Sequence, residues 1–420
     1  MKRFFTFFLL CFILCACTEH VTAPLEGRRS IGTQPDQIRS DTGSVKPSRA
    51  EPIKKWPSLY ATATNKRPHA TLSADAKEVY SIPIGKGVSK GGLTLAGPIV
   101  VQKIIYTLDR TFSLQATDLE TGKRLWRKQL ADIQGTTSKS IGLTQAKKTL
   151  FAIAGNGLII ATDFSGNELW RKDLKSLLRS SATIENNRLF VSSINNELFV
   201  LDTQTGKVLW QYAGEPATTN FFGMGTPAVG KSVVVMTSTS GRVNAFDINT
   251  GVLLWTENLW TNKTYNPILD IPHITSSPII EDGRVYLVGN AGKSGAYLLD
   301  NGTPLYTLNL GGRETSFIDK NTWYIITNKT TLIALNKDKG TLYWEVPLTT
   351  LDKGTVSWYG PVLAGQSLII TSSLGDIVFY DPKTGKEQRR EKQDELYGAP
   401  VFADGRMILL TTDGDLLVYQ

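Results

Sequence analysis

Thiols and imidazoles are nearly missing from this chain. All three cysteines, Cys11, Cys15 and Cys17, lie within the first seventeen residues, so the body has no disulfide and no cysteine-based metal site. Of the three histidines, His20, His69 and His273, only the last lies in the repetitive body. Histidine ligand sets and histidine acid–base pairs cannot be assembled from it. Long apolar runs are missing as well. Residues 4–14 are too short to span a bilayer, and no other stretch is apolar enough. The formal charge of +8 is spread over 420 residues, with no basic stripe interleaved with aromatics, which argues against a nucleic-acid partner.

What is present is a phrase that returns about every 43 residues, a period that marks solenoids and propellers. In its fullest form Asp118, Thr121, Gly122 and Trp126 follow Ala116. Copies carry Asp163, Gly166 and Trp170; Asp202, Thr205, Gly206 and Trp210; and Asp247, Thr250, Gly251 and Trp255. Three eroded copies follow: Asp300, Gly302 and Tyr306; Asn336, Gly340 and Trp344; and Asp381, Gly385 and Arg389. Asp or Asn bonds its own backbone two residues on, and Gly supplies the positive φ of the reversal. A large aromatic four residues later suits packing between neighbouring sheets. Trp126, Trp170, Trp210, Trp255 and Trp344 are therefore expected to dock one sheet on the next.

Each repeat also carries an upstream strand pair, opening near Gly97, Gly142, Thr183, Thr226, Ser277, Ser316, Gly360 and Ala399. Gly-Lys, Asp-Gly and Gly-Gln pairs inside these segments read as hairpin turns. The unit is then a four-stranded antiparallel blade, and its repetition predicts an all-β, eight-bladed propeller over residues 75–420. The eighth repeat has three strands before Gln420. The segment Val79 to Ile84 is expected to supply the fourth and close the ring, leaving no long sheet edge open at the junction.

Ahead of the ring, Lys2 and Arg3 followed by the short apolar run read as a signal peptide over residues 1–16. Leu14, Cys15, Ala16 and Cys17 resemble the bacterial lipobox, which implies acylation of Cys17. Thr18 after the cysteine resembles the signal for outer-membrane delivery. Residues 17–74 carry Pro24, Pro35, Pro47, Pro52, Pro57 and Pro68 among Ser, Thr, Arg and Lys. That composition predicts a lipidated, disordered tether with a reach of about 40 Å.

Two resemblances follow from these motifs. The Asp–Thr–Gly–Trp phrase resembles the docking motif of quinoprotein dehydrogenases, which implies a quinone, a metal ion and a catalytic carboxylate in the funnel. The combination of lipobox, Pro-rich segment and eight blades resembles the BamB family, lipoprotein subunits of the outer-membrane β-barrel assembly machinery. Gly214, Glu215 and Thr219, with Gly241, Arg242, Val243 and Ala245, carry that resemblance most sharply. It implies a periplasm-facing scaffold, anchored in the outer membrane, with no catalysis and no cofactor. Its partners would be the periplasmic domains of BamA, other subunits of the complex and unfolded precursors of barrel proteins.

Carried onto this chain, the resemblance places the BamA contact on Tyr212, Ala213, Gly214 and Glu215, and on Asp270, His273 and Thr275. Tyr212 stands near a family leucine, Ala213 where the family has arginine, and His273 and Thr275 where some relatives have acids. The residues point to the same two connections without the family. Phe221, Phe222 and Trp260 lie in connections unusually rich in large apolar side chains, whereas connections are normally polar. Aromatic anchors in a polar rim suit protein docking. The alternative for Phe221 and Phe222 is to fold back and plug the channel. A third class, a carbohydrate or peptide binder, would use Trp358 and Tyr359.

Overall fold

The computed structural model describes residues 38–88, 95–133, 141–215, 223–260, 271–290 and 292–420. Within them the chain is all β, with 32 strands in eight four-stranded sheets. Seven sheets take their strands in chain order, inner to outer, and form blades 1 to 7. The eighth combines Val401–Ala403, Arg406–Leu410 and Asp415–Tyr419 with Glu78–Pro83 as its outer strand. The ring closes as the sequence predicts, Tyr80 pairing with Val418 and Ile82 with Leu416. Gln420 and Lys77 exchange two further backbone hydrogen bonds, of 3.0 and 3.1 Å.

The recurring phrase explains how blades attach. Asp118 Oδ1 accepts from the Thr121 amide at 2.8 Å and the Thr121 hydroxyl at 2.7 Å, fixing the turn. These bonds hold its carboxyl below the usual carboxylate range. Asp202 and Asp247 repeat the arrangement. The turn takes positive φ at the glycine, and the preceding blade's aromatic ring covers that glycine and leaves no room for a Cβ. A Cβ on Gly251, at φ +73°, would lie 2.6 Å from Cε3 of Trp210. Trp170, Trp255 and Trp344 sit in the same way on Gly206, Gly302 and Gly385, and Trp126 sits on Gly166. The indole nitrogens of Trp170, Trp210, Trp255 and Trp344 donate to backbone carbonyls of the next blade at 2.7–3.2 Å. Tyr306 takes this place on Gly340, and Tyr80 takes it on Gly122 across the ring junction.

Antiparallel strands place the turns between first and second, and between third and fourth, strands at one end of the ring. The remaining hairpins and the inter-blade connections lie at the other. On the first end lies a ribbon that the composition did not reveal. Residues 38–74, expected to be a disordered tether, are ordered here. Ile53 O accepts from Asp404 in blade 8 at 2.7 Å, and Pro57 O from Gln145 in blade 2 at 2.8 Å. Trp56 pairs both ways with Val100 in blade 1. Ala63 O accepts from Val229 in blade 4, Thr64 O from Ile280 in blade 5, and Ala70 pairs with Leu363 and Gly365 in blade 7. Asp41 caps the outer turn of blade 6 through Thr341 and Asn336.

Val45, Trp56, Tyr60, Asn65, Arg67 and Ala70 are buried. The correction has a simple cause: the ribbon satisfies its backbone on the blades rather than on itself, so it needs no periodic pattern of its own. Its middle closes the central channel. Arg67 lies 4.7 Å over the Tyr60 ring and donates to Pro361 O at 3.1 Å. Above them is a cavity of about 240 Å³ whose lining includes Arg179, Glu314, Tyr359 and Tyr397. Burial lifts the Glu314 carboxyl to about 7, against the pull of the Arg67 charge.

Candidate protein-docking face

The connections that the sequence singles out leave blades 3 and 4 at the end opposite the ribbon. Both flank one tight hairpin of blade 4. In it Ser238 Oγ accepts from the Arg242 amide at 2.9 Å, and Gly241 takes φ +81°. The glycine is required because a Cβ there would come within 2.8 Å of Trp260 Cβ and 3.2 Å of Pro272 Cβ. From the blade 3 side, Asn196 ties the pieces together. Its amide donates to Glu215 O at 2.6 Å, while its oxygen accepts from the Thr239 amide at 2.8 Å and hydroxyl at 2.9 Å.

Trp260 thus covers Gly241, and Glu215 reaches the neighbouring Arg242. Glu215 and Arg242 pair at 3.5 Å with side chains 81% and 51% exposed. A pair that open is worth about 0–1 kcal/mol to folding, so both charges remain available to a partner. Trp260 bridges to Gly292 and its amide donates to Asn258 Oδ1 at 3.0 Å. Ala213 is exposed beside Glu215, and Gly214 is half-buried. Two exposed charges beside a half-buried aromatic at a fixed hairpin can present a polar and apolar contact together.

Other predicted residues fall elsewhere. Tyr212 belongs to the outer strand of blade 3, with its ring 4.7 Å from Phe246 in blade 4. Thr275 is half-buried and donates to Arg313 O at 2.9 Å. His273 is fully buried, so it cannot touch a docked partner. The adjoining Ile274 amide is fastened to Ser238 O at 3.1 Å, which turns this part of the connection inward. Phe221, Phe222 and Asp270 lie outside the described residues. Trp358 is also buried, which removes it from a sugar-binding surface, and Tyr359 lines the channel. Arg242 and Asn196 complete the face without having been singled out as contact residues. The signal for Asn196 is the Asn195–Asn196 pair at a hairpin tip.

Burial, and secondarily the Arg179 charge, depress the His273 imidazole to about 4. In the unfolded chain it titrates near 6.5, so its contribution is complete above that pH. It is lost as pH falls toward 4, because only the unfolded state takes the proton. The expected loss is at most about 3 kcal/mol. His273→Gln should flatten the urea-stability curve between these pH values; an unchanged slope would show that the imidazole does not drive it.

A sequence profile described as "Outer membrane protein assembly factor BamB" matches residues 110–346 and 328–420. The chain belongs to the BamB family. The Burkholderia pseudomallei assembly factor BamB is 22% identical over 356 residues, spanning 82% of this chain and 88% of that protein. The Yersinia pestis BamB is 21% identical over 351 residues, spanning 81% and 88%. Among solved structures, BamB from Moraxella catarrhalis superposes with a TM-score of 0.68 at 20% identity, covering 82% of this chain and 99% of that one. Quinohemoprotein alcohol dehydrogenase from Comamonas testosteroni also gives 0.68, at 12% identity, covering 88% and 81%. These structural likenesses establish the fold.

The dehydrogenase fold raises the question of a metal-bound quinone in the channel. A hard cation takes roughly six to eight oxygens. In the described lining Glu314 is the sole carboxylate, and no three His, Cys, Asp or Glu side chains gather among the described residues. The donor set does not fit such a group.

Proposed function

We propose that this chain is a non-enzymatic scaffold of outer-membrane protein assembly, acylated at Cys17 and facing the periplasm. Its ring holds the connection end of blades 3 to 5 against the periplasmic domains of BamA, alongside other subunits of the complex. The observation that carries the reading is the exposed pair of Glu215 and Arg242 beside the half-buried Trp260, gathered at one tight hairpin of blade 4, in a member of the BamB family. Such a scaffold makes and breaks no bond; it acts by position and local concentration. Of the expected tether, the part from Ile38 onward packs on the blades as the ribbon, and the part before it lies outside the described residues.

The test is capture of BamA periplasmic domains from the same source by the chain from residue 18 onward. A Phe221→Ala/Trp260→Ala variant, verified as folded, runs beside it. Wild type is expected to bind and the variant to lose at least tenfold in affinity, since buried aromatic anchors dominate such contacts. Equal binding by both would move the site away from these connections. No binding by wild type, under conditions where another subunit binds, would end the assembly reading.

A further inference from the structure

Between the ribbon and the hairpin tips of blades 8, 1 and 2 lies an open groove of about 660 Å³. The ribbon is pinned on either side of it. Ile53 O accepts from the Asp404 amide, Trp56 exchanges bonds with Val100, and Pro57 O accepts from the Gln145 amide. With the Trp56 indole fully buried, the two residues before it, Lys54 and Lys55, are left exposed in the groove wall. Lys103 at the tip of blade 1 and Lys147 at the tip of blade 2 complete a set of four lysines, and both are exposed. Asp404 is the single carboxylate in the described lining, which contains no arginine. Glu120 pairs with Lys103 at 2.5 Å, but the two side chains are 60% and 51% exposed. Such a contact is weak in water, so the ammonium stays open to other anions.

The turns alone would not select lysine at these tips. Two-residue hairpins need positive φ, which Asn, Asp and Gly adopt most easily. Blades 3, 5 and 8 use them there: Asn186 with Asn187, Asp282 with Gly283, and Asp404 with Gly405. Blades 1 and 2 instead hold Lys103 at φ +60° and Lys147 at +52°, and Lys320 of blade 6, at +45°, is placed in the same way. A long cationic side chain brings no gain to such a turn, which leaves the charge it presents to solvent as its contribution. The chain also enters the described structure on this end of the ring, where Arg39 O accepts from the Leu342 amide of blade 6 at 2.8 Å. An acyl anchor at Cys17 would therefore join the ring from the ribbon side and not from the docking face.

We propose that this lysine groove is a docking surface for the phosphodiester headgroups of anionic phospholipid, and that it holds the ribbon end of the ring on a membrane while the opposite end carries the protein-docking face. Phosphate is the matching chemistry, because ammonium groups on flexible stems act as point charges toward phosphate oxygens without demanding one geometry. A bilayer suits the groove better than a single soluble phosphate does. The lysines come from three separate elements along an open surface, whereas a compact phosphate site gathers backbone amides or arginine forks around one point. Each lysine close to an anionic surface strengthens binding about fivefold. The inference goes beyond the assembly reading: it takes the membrane from the proposed acylation and rests otherwise on the groove.

The test is co-sedimentation with lipid vesicles of the chain from residue 18 onward, which lacks the acylated cysteine and keeps every described residue. Binding to vesicles of phosphatidylethanolamine and phosphatidylglycerol should exceed binding to phosphatidylcholine vesicles at least about tenfold, and should weaken as salt rises. Lys103→Asn/Lys147→Asn, which suits both turns, should lose about 25-fold in binding with the thermal melt no lower. Lys54→Gln/Lys55→Gln should lose as much. Lys329→Asn/Lys353→Asn removes two exposed lysines at the opposite end of the ring and should leave binding intact. No preference for the anionic vesicles in wild type, or a preference that survives in both groove variants, would overturn the proposal. Saturable calorimetric binding of the soluble headgroup glycerophosphoglycerol, without binding to the vesicles, would make the groove a site for free phosphate and overturn the membrane assignment. BamA capture with no vesicle binding would sink the groove inference alone. Vesicle binding with no BamA capture would sink the assembly reading and leave the groove standing.

Discussion

Trp56→Ala should destabilise the whole ring, by about 3–5 kcal/mol. The residue belongs to a segment whose composition reads as tether, yet its indole is fully buried and lies 6.2 Å from Phe402 of blade 8. Its backbone exchanges hydrogen bonds of 2.8 and 2.9 Å with Val100 of blade 1. It therefore sits across the junction where the ring closes. Truncation leaves a void between two blades that the surrounding strands cannot collapse to fill, because each is held by its own ladder. Urea denaturation of the full chain, with exposed Lys54→Ala as a control expected within about 0.5 kcal/mol, measures the effect. A loss under 1 kcal/mol, with selective proteolysis of residues 38–74, would mean that the ribbon is not part of the cooperative unit.

Gly251→Ala is expected to cost about 3 kcal/mol, far more than one methyl group suggests. At φ +73° an L-residue is strained, by roughly 1–2 kcal/mol. The new Cβ would also meet the Trp210 ring at 2.6 and 2.8 Å, so the ring must shift. Displacing it loosens the Nε1 bond to Ile248 O at 3.2 Å, worth about 1 kcal/mol. Gly283→Ala separates the two causes. Its φ is +72° but nothing lies within 4 Å of the added carbon, so only the backbone cost should appear. Since the damage passes through one ring, Gly251→Ala combined with Trp210→Ala should cost at least 1 kcal/mol less than the sum of the singles. Additive losses would disprove the docking role of that contact.

The blades were legible because their information is local. Asp118, Thr121 and Gly122 specify a turn through bonds spanning two or three residues, and strand alternation needs no distant partner. Even the missing strand of blade 8 could be found, since closure demands it. The docking face was legible in part. Glu215 and Trp260 lie in connections that look unusual in sequence, but their placement depends on Asn196 and Gly241 from two other hairpins. His273 looked equivalent to its neighbours, and only the packing of that connection put it inside.

The sequence by itself determined the repeat, the number of blades, the ring closure and the residues that lock each blade to the next. These rest on short-range hydrogen bonding, glycine stereochemistry and the period of apolar residues. The tertiary structure decided the rest. It laid a polar, proline-rich ribbon across seven blades, through contacts such as Asn65 to Pro278 and Arg67 to Pro361 that lie 213 and 294 residues apart in the chain. Such choices depend on which backbone groups the finished ring leaves unpaired, a property that exists only once the strands are in place.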